Sequence, residues 1–301
     1  MPKPLPNYEE FDLDSLRPFS VIRLVVLDLD GTLLESRESE LPEKVLNLAN
    51  SLKSYKYGVR LTIATGRTLK GARPLLDILR IRKDTPIILY NGSLVLNKNY
   101  DVLDRKVIPV VSLQRIIKLA SRFNVKVISY VCDLLGENGP KEYAQGWSSL
   151  DQPELEYNKM RVEWLDWDKV DSAGTPSAIV IHTIGQTKAI SRICAKLNKI
   201  PDISYTHGGT AYIEVRPKNS NKGIALEYLA KSLKLDRKQV LAIGDNDNDS
   251  EMLSWAGIGI AVESASDLAK RSSNYKANRG VIEGAIEVLQ LVRTAIRLLG
   301  K

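Results

Sequence analysis

Cysteine is scarce in this sequence: among 301 residues there are only two, Cys132 and Cys194. They do not form a Cys-x-x-Cys pair, and this argues against both a disulfide framework and a zinc site. Two unpaired thiols are typical of proteins that function in a reducing compartment. We therefore expect a cytoplasmic location.

Long hydrophobic runs are also missing, since no apolar stretch approaches the length needed to span a membrane. Residues 1–20 lack the basic start and apolar middle of a signal peptide. The sequence therefore predicts a soluble protein that has no membrane partner.

The sequence has no run of charge of one sign, no internal repeat and no low-complexity tract. Its net charge of +7 comes from 43 basic residues dispersed among 36 acidic ones. There is no RNA-binding or helix-turn-helix signature, so we expect no nucleic-acid partner. A surplus of positive charge is compatible with an anionic small-molecule substrate.

The most informative segment that is present is LVVLDLDGTLLE, residues 24–35, where an apolar run ends in Asp28, Asp30 and Gly31. The short β-branched run predicts a strand buried on both faces. Side chains two residues apart on an extended chain point to the same side, and a cation would relieve the repulsion between the two carboxylates. The alternative is a polar strand end followed by a helix cap.

Two further apolar strands end in the same way. LTIATGR, residues 61–67, ends in Thr65, Gly66 and Arg67, and QVLAIGDNDND, residues 239–249, ends in an acidic and amide-rich loop. The carboxyl ends of parallel strands share one sheet edge, where ligands bind. We expect these side chains to converge there. The alternative for the first segment is a threonine turn, and the alternative for the second is an Asp/Asn-rich loop.

Lys222 opens the predicted helix that precedes the third of these strands. A lysine in the first turn opposes the helix dipole, so this side chain should have another partner nearby. The alternative is a solvated lysine.

An alternation of strands and helices predicts a parallel sheet with right-handed crossovers. At the start of the chain the order is strand 21–27, helix 42–56, strand 59–64, helix 68–82 and strand 86–90. After Lys222 it is strand 239–243, helix 248–255, strand 258–262, helix 265–271 and an amphipathic helix 281–299.

The middle of the chain follows a different pattern, which predicts a separate mixed α/β region. We expect a helix at 112–123, a strand at 125–131, a loop-rich stretch from 133 to 171, a strand at 177–183, a helix at 187–198 and strands near 203–206 and 210–215.

These motifs together resemble the haloacid dehalogenase superfamily, and within it the Cof-type sugar-phosphatase branch. The resemblance runs through DLDGTLL, ATGR, LYNGSLV (89–95), EVRPKNSNKGIALEYL (214–229) and GDNDNDSEML (244–253), and continues through residues 256–289. It implies an α/β fold, in which a Rossmann-like, doubly wound parallel sheet carries an inserted α+β cap of type IIB. The corresponding divisions are an N-terminal extension (1–20), core (21–105), cap (106–208) and core (209–301).

The chemistry of phosphate esters suggests roles for the two carboxylates of the first motif. Asp28 fits a nucleophile that forms an aspartyl-phosphate, and Asp30 fits the general acid and base. The resemblance implies that Mg²⁺ is bound by the Asp28 carboxylate, the Asp30 carbonyl and Asp245. Asp249 is expected either to contact the metal through water or to hold Lys222.

The resemblance also implies which residues bind the substrate. Thr65, the Gly66 amide and Lys222 would bind the phosphoryl oxygens with help from Asn248. Two others, Asn91 and Arg67, would face the leaving group.

The function predicted from the sequence is therefore a Mg²⁺-dependent phosphatase of small phosphorylated metabolites, most plausibly sugar phosphates. One alternative is a phosphomannomutase-like phosphotransferase, which would share the aspartyl-phosphate. Another is a non-catalytic binding or regulatory protein, although the intact set of acidic residues and Lys222 argues against it. The sequence does not indicate an oligomeric state.

Overall fold

The computed structural model describes residues 2–300 except 8, 11, 36–39, 55–56, 134–139, 149–155, 158–159, 171–173, 184–186 and 209–211. Within that part of the chain, no helix is both long and apolar enough to cross a membrane.

The helices, in chain order, are α1 (Leu13–Ser20), α2 (Glu43–Lys53), α3 (Leu69–Leu79), α4 (Val110–Ala120), α5 (Thr187–Leu197), α6 (Lys222–Ser232), α7 (Ser250–Trp255), α8 (Asp267–Ser272) and α9 (Val281–Leu299). The strands are β1 (Lys3–Pro4), β2 (Leu24–Leu27), β3 (Arg60–Ile63), β4 (Ile87–Leu89), β5 (Leu94–Leu96), β6 (Val102–Arg105), β7 (Lys126–Asp133), β8 (Lys141–Ser148), β9 (Glu156–Tyr157), β10 (Met160–Trp164), β11 (Pro176–His182), β12 (Ile203–Gly208), β13 (Tyr212–Pro217), β14 (Val240–Gly244), β15 (Ile258–Ala261) and β16 (Tyr275–Lys276).

The chain divides into two compact units. The first contains Met1–Gly66, Arg73–Lys98 and Asn221–Lys301, and the second contains Arg67–Ala72 and Asn99–Ser220. Each unit has a β-sheet of its own.

The sheet of the first unit has the strand order β1-β16-β15-β14-β2-β3, and every neighbouring pair in it is parallel. The central strands β2 and β14 are buried along their whole length, which explains their continuous apolar sequences. Helices α1 and α2 pack against α9, and α6 packs against α7. The predicted α/β class with a parallel sheet is confirmed.

Four of the helices and strands of the first unit were not predicted from the sequence: α1, β1, β5 and β16. Strand β1 pairs with β16, and α1 contacts α9. Strand β4 forms an antiparallel hairpin with β5, and it meets the end of β3 through a parallel bridge between Ala64 and Ile88. Strand 86–90 was predicted to close the parallel series. The correction is that this strand also begins an antiparallel hairpin.

The second unit has a mixed sheet in the order β12-β13-β11-β7-β8-β10-β9. Its core contains apolar side chains of α4 and α5 together with one face of the sheet, among them Ile116, Ile193, Val127, Ile179 and Trp147. The predicted helices and strands on either side of its loop-rich stretch are present, with ends shifted by a few residues.

The prediction of a loop-rich stretch from 133 to 171 is wrong for much of the described part. Residues 141–148 form β8, which pairs with β7 over its full length, and β10 follows at Met160–Trp164. The sequence of β8 contains Gly146 and the polar residues Glu142 and Gln145, both of which are buried. Strand preference depends on such tertiary partners, so composition alone suggested a loop.

Candidate active site

Three neighbouring parallel strands of the first unit end at the same sheet edge. Strand β2 lies between β14 and β3, with Leu27 opposite Ile243 on one side and Ile63 on the other. Asp28 follows β2 directly, Thr65 follows β3 after one residue, and Asp245 follows β14. The fold therefore places these three residues at one edge, as the strand pattern predicts.

Lys222 forms a buried ion pair with two carboxylates at this edge. Its Nζ donates to Oδ1 of Asp28 and to Oδ1 of Asp249, each at 2.6 Å. Asn221 caps α6 by accepting from the amide of Ile224, which places Lys222 at the first position of the helix. The expected partner of Lys222 is therefore present, as two carboxylates, and the alternative of a solvated lysine is wrong.

Asp249 uses both carboxylate oxygens to hold the loop after β14. Its Oδ1 accepts from Lys222, and its Oδ2 accepts from the amides of Asp245 and Asn246 at 2.9 and 3.1 Å. Two roles were predicted for Asp249, a metal contact through water and a partner that holds Lys222. These hydrogen bonds agree with the second role.

Asp245 accepts a hydrogen bond from the hydroxyl of Thr32 at 2.9 Å. Burial and the nearby Asp249 carboxylate raise the pKa of Asp245 to about 6. Thr32 was not predicted as a site residue. Its position directly after Asp30 and Gly31 was the available signal, but its partner is 213 residues away in the sequence.

Asp28, Asp245 and Asp249 form a cluster in which one carboxylate oxygen from each lies within 4.8 Å of the others. Burial raises the pKa of Asp28 well above its usual value, while Lys222 opposes this shift. Three carboxylates facing a single ammonium group leave a surplus of negative charge. Because carboxylate oxygens are the ligands that hard divalent cations prefer, the donor set fits Mg²⁺, with Asp28 and Asp245 best suited to bind it.

Gly31 lies in the turn that connects β2 to this cluster. Its φ angle is +89°, and a Cβ atom at this position would lie 2.2 Å from Oδ2 of Asp245. The turn therefore requires glycine for two reasons, its left-handed backbone and the close approach of a carboxylate. Asp30 is half-buried in the same turn, where its backbone forms an isolated β-bridge with that of Leu34.

Asn91 and Asn248 are joined by a side-chain hydrogen bond of 2.9 Å, in which Nδ2 of Asn248 donates to Oδ1 of Asn91. The amide of Asn91 also donates to the carbonyl of Thr65 at 3.0 Å. A Cβ on Gly66 would lie 3.0 Å from Nδ2 of Asn91. The loops after β3, β4 and β14 are thus held together by these residues.

The backbone is strained at the same place. Tyr90 and Asn91 are consecutive residues with φ angles of 50° and 52°, and both are buried. Left-handed conformations of residues other than glycine are uncommon and occur preferentially at functional sites.

Arg67, the remaining predicted site residue, belongs to the second unit, where its side chain is buried. Its Nη1 donates to the carbonyl of Gly71 at 3.4 Å. Within the first unit, the structure brings together the acidic cluster with Lys222, and separately Gly66, Asn91 and Asn248.

The sequence was compared with known families and curated proteins. A model of the haloacid dehalogenase-like hydrolase family matches residues 25–286. The 5-amino-6-(5-phospho-D-ribitylamino)uracil phosphatase YcsE of Bacillus subtilis is 24% identical over 271 residues, covering 89% of this chain and 95% of that protein. The pyridoxal phosphate phosphatase YbhA of Escherichia coli is 24% identical over 269 residues, covering 84% and 92%.

Solved structures show the same fold. The HAD subclass IIB sugar phosphatase BT4131 superposes with a TM-score of 0.67 at 17% sequence identity, covering 85% of this chain and 93% of that chain. The likeness includes both a parallel sheet core and an additional sheet, so the predicted fold is confirmed.

Proposed function

Because the chain belongs to the haloacid dehalogenase-like hydrolase family, we propose that it is a Mg²⁺-dependent phosphatase that hydrolyses small phosphorylated metabolites. The observation that carries this proposal is the buried arrangement of Lys222 between Asp28 and Asp249, with Asp245 beside them, at the carboxyl edge of a parallel sheet. A cationic side chain and a divalent-cation donor set meet there next to a carboxylate that can act as a nucleophile.

Asp28 is the proposed nucleophile. Its Oδ1 accepts from Lys222, which leaves Oδ2 to attack phosphorus and form an aspartyl-phosphate. Lys222 helps to keep Asp28 ionised and places positive charge beside the transferring group. When bound by Asp28, Asp245 and the Asp30 carbonyl, Mg²⁺ neutralises the charge that the carboxylates and the phosphoryl group share.

Asp30 is the proposed proton carrier. It protonates the leaving oxygen in the first step, and its carboxylate then takes a proton from the water that hydrolyses the aspartyl-phosphate. Thr65, the Gly66 amide and Asn248 are proposed to bind the phosphoryl oxygens. The hydrogen bond from Asn248 to Asn91 would orient its amide for this contact.

The proposed substrate class is a monoester of phosphate with a small metabolite, and sugar phosphates are the first group to test. The names of the two curated relatives both specify phosphorylated small molecules, a ribitylaminouracil phosphate and pyridoxal phosphate. A cytoplasmic location and a reaction that involves no nucleic acid go with this proposal.

Replacing the nucleophile tests the covalent mechanism. Asp28→Asn is nearly isosteric but is a poor nucleophile, so phosphate release from a panel of phosphorylated metabolites should fall below detection. Asp14→Asn serves as the matched control, because Asp14 is an exposed carboxylate that pairs with Arg17 at the surface. Purified Asp28→Asn protein that retains more than a few per cent of wild-type turnover would contradict the mechanism.

Removing divalent cations tests the metal site. Treatment with a chelator should abolish phosphate release, and added Mg²⁺ should restore it, because Asp28 and Asp245 would otherwise repel the anionic substrate. Full activity in rigorously metal-free protein would rule out the proposed site.

A further inference from the structure

Glu142 is a buried carboxylate of the second unit that the proposed chemistry does not use. It lies on β8 with 4% of its surface exposed. Its Oε1 accepts from the amide of Leu69 and its Oε2 from the amide of Lys70, each at 2.7 Å. Leu69 and Lys70 belong to the short segment Arg67–Ala72, which clusters with the second unit. Both carboxylate oxygens are therefore used to hold the first turn of α3.

This contact completes the N-terminus of α3. The first amides of a helix have no acceptor within the helix, and they need one when they are buried. Glu142 supplies acceptors for the first two amides. Thr68 supplies the next two, its hydroxyl for Gly71 at 3.0 Å and its carbonyl for Ala72 at 2.9 Å. A carboxylate is particularly favourable here because it also faces the positive end of the helix dipole.

Two of the residues proposed to bind the phosphoryl group, Thr65 and Gly66, lie shortly before this turn, with two residues between Gly66 and Leu69. Thr65 is fixed on its upstream side, since its amide donates to the carbonyl of Ile88 and its carbonyl accepts from Asn91, each at 3.0 Å. Gly66 has a φ angle outside the left-handed region but no side chain to restrict it. The orientation of the Gly66 amide and of the Thr65 hydroxyl thus depends on where the chain continues after Gly66.

We propose that Glu142 is a positioning residue for phosphate binding: by fixing the amides of Leu69 and Lys70, it sets the conformation of the Thr65–Gly66 segment that precedes them. This inference rests on the proposed function. It assigns to one buried carboxylate outside the proposed catalytic set a part in binding the phosphoryl group.

Substitution of Glu142 by glutamine separates this role from simple stabilisation. The amide retains one acceptor oxygen but presents an N–H₂ group to one of the two backbone N–H donors. We expect the inhibition constant of inorganic phosphate to rise about tenfold, because misplaced binding groups lose contacts in this range. The Mg²⁺ concentration that gives half-maximal activity should change less than about twofold, since the carboxylates of the metal cluster lie on other loops.

Glu163→Gln is the matched control, because Glu163 lies on β10 of the same sheet, is exposed and bonds only the side chain of Gln145 among its described contacts. It should leave both constants unchanged. A rise of less than about threefold in the phosphate inhibition constant of Glu142→Gln would overturn the proposal. Parallel changes in the phosphate and Mg²⁺ constants would also overturn it, because they would indicate general loosening of the protein.

Thr68→Val provides a second test if Glu142→Gln does not fold. It removes the hydroxyl that caps the same turn while keeping the side-chain shape, so it should raise the phosphate constant in the same direction. Hydrogen exchange of the peptide that contains residues 65–72 should accelerate in both variants, and unchanged exchange would overturn the proposal. Wild-type turnover is measured first, because an inactive wild-type protein would refute the proposed function rather than the role of Glu142.

Discussion

At the scale of the residue, the site depends on one lysine that is buried among carboxylates. Burial lowers the pKa of Lys222, but Asp249 and Asp28 outweigh this effect and leave the pKa above its usual value. The ammonium group is therefore charged at neutral pH. In the proposed mechanism this charge holds Asp28, the proposed nucleophile, in the absence of substrate and contacts the phosphoryl group in its presence.

A pair of glycine variants separates the effect of backbone strain from the effect of the close contact between residue 31 and Asp245. Gly31→Ala should lower phosphatase activity by about 100-fold or more, because a Cβ would displace the Asp245 carboxylate as well as strain the backbone. Gly58 also has a positive φ, +64°, but a Cβ there would meet nothing within 4 Å. Gly58→Ala should therefore cost stability, about 1–2 kcal/mol, without changing kcat.

Activity assays and denaturant unfolding of the two glycine variants check this prediction. If Gly31→Ala lost no more activity than Gly58→Ala, the contact with Asp245 would have no part in the site.

The sequence predicted those site residues that follow apolar strands or open an apolar helix. Asp28, Thr65, Asp245 and Lys222 all stand at such boundaries, where a change from apolar to polar residues marks the sheet edge. Thr32 and Glu142 were missed for a different reason. Their importance comes from partners that are distant in the sequence, and nothing in their own neighbourhood indicates those partners.

At the scale of the element, the two largest departures from prediction are β8 and α1. Strand β8 buries polar side chains that are satisfied only by tertiary contacts. Helix α1 is only eight residues long and contains Pro18, which disfavours a helix interior. It forms because Asp12 caps it and because Leu16 and Phe19 pack inside the protein. Pro18 in α1 and the polar residues of β8 interrupt the apolar periodicity from which helices and strands are predicted.

The packing of α1 leads to a stability prediction. Phe19 is fully buried and its ring lies 5.4 Å from that of Tyr275 on β16, so Phe19→Ala should cost about 3–5 kcal/mol of unfolding free energy. Leu13, on the same helix, is 52% exposed, and Leu13→Ala should cost about 0.5 kcal/mol or less. Urea unfolding of both variants provides the measurement. Equal losses would show that α1 does not contribute to the core.

At the scale of the whole molecule, both cysteines lie in the second unit. Neither forms a disulfide. Burial raises the pKa of Cys132 to about 12, and burial also raises the pKa of Cys194, which is the more exposed of the two. Since the thiolate is the reactive form, modification of Cys132 reports opening of the second unit.

Thiol labelling at pH 8 should therefore be slow in the native protein, with Cys194 reacting before Cys132. In guanidinium chloride both should react at the rate of an ordinary exposed thiol. Cys132→Ser and Cys194→Ser assign each rate to its residue. If Cys132 reacted as fast as Cys194 in the native protein, the second unit would not shield it as the structure indicates.

The position of β2 in its sheet has a consequence for protein synthesis. Strand β2 pairs on one side with β3, which follows soon after it, and on the other with β14, which emerges from the ribosome roughly 10–40 s later at ordinary elongation rates. Until β14 arrives the apolar β2 has one open edge, whereas all the strands of the seven-stranded sheet are made before β14. The nascent chain should therefore complete the second unit first, and it should depend on chaperones to shield β2 until β14 has been made.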